Sequence, residues 1–103
     1  MTDDKSRKVA LGIAWYRSEQ WEELRAYCED GGTMEDSYDE WKHEATKALH
    51  DLQRAGEHAQ AVDFDLSEFR KWCTAHKKSP NASSRSEFTA FRLQELHQSK
   101  SKP

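Results

Sequence analysis

Val9-Ala10-Leu11-Gly12-Ile13-Ala14-Trp15-Tyr16-Arg17 is the stretch on which the fold turns. Large apolar side chains (Val9, Leu11, Ile13, Trp15) alternate with mostly small ones (Ala10, Gly12, Ala14), and no charge interrupts the run before Arg17. Period-two alternation of this kind predicts a strand, from about Lys8 to Tyr16, covered on both faces, with helices lying close against the small side. The remaining segments read as helices that cover it.

Working outward, residues 1–7 contain no large apolar group beyond Met1 and read as a frayed tail. After the strand, Ser18 is placed to cap a helix whose first turns carry Glu19, Glu22 and Glu23, acids that suit the positive end of the helix dipole. Trp21, Leu24, Tyr27 and Cys28 give its apolar stripe, and Gly31-Gly32 reads as its stop. A second helix begins near Asp36 or Ser37, and Ser37 with Glu40 matches a capping box. Trp41, Ala45, Ala48, Leu49, Leu52 and Ala55 continue its stripe for about five turns to Gly56.

Ala61-Val62-Asp63-Phe64-Asp65-Leu66 alternates again and predicts a shorter strand with one polar face. Ser67 opens a third helix with Phe69, Trp72, Cys73 and His76. Lys77 to Asn81 is a polar break, and a last helix runs from about Ser83–Ser86 to Gln98, followed by a second tail at 99–103. The expectation is one domain over residues 8–98 of the α/β class, mostly helical, ordered β-α-α-β-α-α around a two-stranded, parallel sheet. Two strands alone are marginal, so a homodimer that completes the sheet is one expected partner.

The totals limit the function. Of 103 residues, 34% are charged, and the 11% that are aromatic, four of them Trp, must supply much of the core. No apolar run is long enough to cross a bilayer and no secretory leader is visible, which points to a cytoplasmic protein with no membrane partner. Cys28 and Cys73 then read as reduced, buried thiols. Residues 1–68 carry seventeen acids against eight bases, and residues 69–103 carry two against eight. That asymmetry suits either internal attraction or two faces for two partners.

Trp15-Tyr16-Arg17-x-x-x-Trp21, Ser37-Tyr38-x-x-Trp41, Val62-Asp63-x-Asp65 and Trp72-Cys73 together resemble a set of short, uncharacterised bacterial proteins. The likeness covers roughly residues 8–96. It implies a bacterial source and a soluble single domain, and it carries no substrate, cofactor or catalytic residue.

No phosphate-binding glycine loop, Cys-x-x-Cys pair, His-Glu-x-x-His or nucleophile elbow is present, so no catalytic residue and no cofactor is assigned. The expected function is a noncatalytic protein-interaction module, docking another protein through acids interleaved with aromatics: Glu35, Asp36, Tyr38, Asp39, Glu40 and Trp41. The alternative is a small-anion or enzymatic site where the strands end, built from Tyr16, Arg17, Ser18, Asp63, Asp65 and Ser67. There Arg17 would clamp a carboxylate or phosphate, unless it simply pairs with Asp65. Third comes nucleic-acid binding by the basic C-terminal region, including Arg70, Lys77, Lys78 and Arg85, against which the overall acidity argues. His43 with His50, and Cys73 with His76, offer only pairs where a zinc site needs three or four ligands, so no metal is assigned.

Overall fold

The computed structural model describes residues 10–101. The tail at 1–7 and the first two residues of the expected strand lie outside them. Strand β1 (Ala10–Tyr16) pairs in parallel with β2 (His58–Phe64), in unbroken register from Ala10 beside His58 to Tyr16 beside Phe64. Helices α1 (Trp21–Tyr27) and α2 (Tyr38–Arg54) lie between the strands, and α3 (Leu66–His76) and α4 (Ala82–Ser101) follow. The order is β-α-α-β-α-α, with short 3-10 turns at Ser18–Gln20 and Gly31–Thr33.

The large–small alternation of β1 sorts its neighbours. On the large side Trp15 meets Trp41 of α2 edge to face, with ring centroids 5.4 Å apart. On the small side α4 comes so close that a Cβ on Gly12 would stand 3.3 Å from both Thr89 and Leu93. At the carboxyl end of β1, Tyr16 joins two aromatic clusters. Its ring lies 4.8 Å from Trp41 and 5.0 Å from Phe64, and Phe64 in turn packs on Phe69 of α3 and Phe88 of α4. Burial of such rings is the largest favourable contribution available to so charged a chain.

Several boundaries differ from those expected. Ser18 makes no cap: the chain takes a 3-10 turn and α1 starts at Trp21. The Gly31-Gly32 pair is no left-handed stop. α1 ends at Tyr27 with Cys28 extended, and Gly31 is required because a Cβ there would collide with the backbone of Arg25. β2 begins three residues early, at His58, because seven residues of β1 are available to pair with it. It ends at Phe64, and Leu66 is buried as the first residue of α3.

Asp65, rather than Ser67, caps α3. Asn81 begins α4 through a reciprocal pair of bonds with Ser84, of 2.9 and 3.0 Å. The capping of α2 by Ser37, and the turn at Gly56 (φ 92°), stand where the sequence puts them. The expectation that β1 is covered on both faces fails in part. Within β1 only Tyr16 is buried and Leu11 is 37% exposed, and among the described residues one edge of β1 has no neighbouring strand.

Candidate functional site

The strand ends bring Arg17, Asp63, Asp65 and Ser67 together. The Arg17 Nε and one terminal nitrogen donate to the two oxygens of Asp63 at 3.0 and 2.7 Å, and the other terminal nitrogen lies 3.5 Å from Asp65. Asp65 also accepts from the Gln20 side chain at 2.8 Å and from the Ser67 hydroxyl at 2.9 Å. These bonds, with Gln20 foremost for Asp65 and Arg17 foremost for Asp63, hold both carboxyls below the usual range.

The first amides of α3 are engaged too: Leu66 donates to Gln20 at 2.9 Å and Glu68 to Asp65 at 3.4 Å. The donors an anion would need are therefore already engaged, Arg17 and the Glu68 amide by carboxylates of the chain and the Leu66 amide by Gln20. Of the other two residues in that expected set, Ser18 is exposed and Tyr16 turns into the core. Gln20, the link between the two ends, has no signal in the sequence.

Among the acidic-aromatic residues, Trp41 is only 8% exposed, and Tyr38 is half-buried with its hydroxyl donating to the Tyr16 carbonyl at 3.0 Å. Amphipathic spacing turns the rings inward and the acids outward. Glu35, Asp39, Glu40, His43 and Glu44 line a hollow of about 440 Å³. Much of the basic region is internally matched: Lys71 reaches Glu68, Lys78 reaches Glu87, Arg92 reaches Glu95, and Arg70 sits 5.0 Å over the Tyr27 ring. His76 lies against Trp72, and no three candidate metal ligands converge among the described residues.

Arg85, expected on the basic face, lies instead in the interior. It is 8% exposed, and its two terminal nitrogens donate to Asp30 at 2.8 and 3.1 Å while its Nε donates to the Tyr16 hydroxyl at 2.9 Å. Burial opposes its charge, but the bonds to Asp30 outweigh that and keep it protonated. The same bonds hold the Asp30 carboxyl below its usual range, while burial pushes the Tyr16 hydroxyl and the Cys28 thiol up.

Beside this network lies a feature the sequence reading missed. A groove of about 660 Å³ runs between the open edge of β1 and α4. Ala10, Gly12 and Ala14 are its small-residue lining on β1, Leu93 and Thr89 face them, and Tyr16 with Arg85 closes one end. The exposed residues Ala82, Ser86, Ala90 and Gln94 line it from α4 at intervals of four, one helical row. The small members of the β1 alternation and the row on α4 were the available signals. Neither shows that the groove exists until the strand edge is known to be open.

A family model matches residues 3–98. The chain belongs to the family described as domain of unknown function DUF8829. No curated protein and no solved structure matches the chain. Among the described residues no helix is long and apolar enough to cross a membrane.

Proposed function

We propose that the domain is a noncatalytic protein-interaction module that takes an extended polypeptide segment along the free edge of β1. One observation carries this: a seven-residue strand edge, uncharged throughout, opens onto a groove of about 660 Å³. An open edge presents main-chain N–H and C=O groups that a further strand can satisfy, and natural edges that stay single are protected by charges, prolines or bulges. Residues 10–16 contain no charge and no proline, and the register with β2 has no bulge. The Tyr16 hydroxyl, whose oxygen accepts from Arg85, retains a proton with no acceptor among the described residues.

The test is selection from a displayed library of uncharged extended peptides, followed by mapping on amide shifts. Selected peptides are expected to move the signals of residues 10–16 and of the groove side of α4, and to lose binding to the Leu11→Lys protein. Peptides that map elsewhere, or that bind the variant equally well, would overturn the assignment.

A second reading rests on the acidic hollow. Glu35, Asp39, Glu40 and Glu44 make no ion pair among the described residues, which supports docking of a basic segment. An oligolysine titration should then show binding that weakens with salt and vanishes in the Asp39→Lys/Glu40→Lys double variant. Unchanged binding in that variant would remove this surface.

A further inference from the structure

The chemistry of the groove also indicates what fills it. A third of this chain is charged, 34% of its residues, yet the β1 edge and the exposed row Ala82, Ser86, Ala90, Gln94 carry no charge at all. Two ionisable groups line the groove: Arg85 is already matched by Asp30, and the His97 imidazole lies 3.4 Å from the Gln60 side-chain oxygen. A basic or acidic partner would find no unpaired carboxylate, Lys or Arg in the groove lining to answer its charge, whereas a second copy of this chain brings the same largely neutral strip to the contact.

We infer that two copies join through this strip, pairing their β1 strands antiparallel into one four-stranded sheet. The inference rests on β1 being a docking edge, as proposed above. A two-fold axis at Ile13, the middle of the seven residues, places Leu11 opposite Trp15 of the second copy on the α2 side. Leu11, 37% exposed in the single chain, then gains an aromatic neighbour, a favourable cross-strand pair.

On the α4 side the same axis sets Gly12 opposite Ala14, which leaves that face shallow. The two α4 helices can then approach across it through their small row, toward the short end of the roughly 8–10 Å range of helix separations, which depends on the side chains at the contact. Four strands with helices on both faces also remove the weakness of a sheet with only two. The strip is narrower than a standard stable interface, so a dissociation constant in the micromolar range is expected.

Sedimentation velocity across a concentration series of the full chain tests this. The wild type is expected to pass from monomer to dimer in the micromolar range. Leu11→Lys and, independently, Ala90→Glu should remain monomeric at the same concentrations with unchanged circular dichroism. Both positions are exposed, so one failed variant would not end the test.

Ile13→Cys should form a disulfide-linked dimer on mild oxidation, because opposed strand residues lie within disulfide reach and the native Cys28 and Cys73 are buried. Leu96→Cys, exposed on α4 but outside the groove, should not. A wild type that stays monomeric throughout, or a dimer that survives both charge variants and gives no Ile13→Cys crosslink, overturns the inference. If selected peptides still map to β1 in the first case, the docking edge stands and only the second copy is removed. If they do not, both fall.

Discussion

Arg85 and Arg17 each grip a carboxylate with two bonds of similar length, Arg85 end-on through its terminal nitrogens and Arg17 side-on through Nε and one terminal nitrogen, in opposite surroundings. Arg85 meets Asp30 at 2.8 and 3.1 Å, and Arg17 meets Asp63 at 2.7 and 3.0 Å. The Arg85 side chain is 10% exposed and Asp30 28%, against 38% and 66% for Arg17 and Asp63. Two forks with bonds of similar length thus differ in what water can replace. If Asp63 is removed, solvent takes its place around Arg17. If Asp30 is removed, Arg85 is left charged among Tyr16, Cys28 and the core. Distance alone therefore does not rank ion pairs, and the buried one ties α4 to the segment after α1.

The contrast can be broken experimentally, and the largest effect is expected at Asp30. Asp30→Asn should cost about 3 kcal/mol in denaturant unfolding, the typical penalty for stranding a buried charge. A loss no larger than that of Arg17→Ala would show that burial does not separate the two pairs.

The same pair shapes the acid limb of stability. Asp30 has a lowered carboxyl in the fold, as do Asp63 and Asp65, so their contribution is complete above the unfolded value near 3.8. It is lost as pH falls through the folded values below that. Thermal midpoints should be level from neutral pH to about 5 and fall steeply below about 4. The fall should be shallower in Asp30→Asn, and equal slopes would contradict the assignment.

Tyr16→Phe should cost roughly 1–2 kcal/mol by removing the acceptor of the Arg85 Nε while keeping the ring. Arg17→Ala should have the smallest effect, a slight lowering of the unfolding midpoint that disappears in 1 M salt because exposed charges are screened. A salt-insensitive loss at Arg17 would place it with the buried pair instead.

These residues also show what the sequence could carry. The meeting of Arg17 with Asp65 was foreseeable, since parallel strands deliver their carboxyl ends to one side. That Asp63 takes the fork was not, because it depends on which face each side chain leaves by. Arg85 was illegible for a different reason. Its partners Asp30 and Tyr16 stand 55 and 69 residues away, and nothing local distinguishes a buried Arg from the solvated bases around it.

The same division runs through the fold. β1 and α2 carry long periodic patterns that local chemistry settles. The start of β2 at His58 depends on the length of a distant strand, and the α3 cap depends on Gln20 and Arg17 favouring Asp65 over Ser67. The spacing of Tyr38 and Trp41 puts them on a helix, but the face they present is set by Tyr16 and Trp15.

The tryptophans give the domain an optical property. Trp15 and Trp21 lie 5.4 and 5.8 Å from Trp41, so three indoles are close enough to couple their transitions, while Trp72 stacks on Phe69 apart from them. Near-ultraviolet dichroism should therefore be dominated by one corner of the molecule, where β1, α1 and α2 meet. A loosening of that corner would be visible in the native protein without any label.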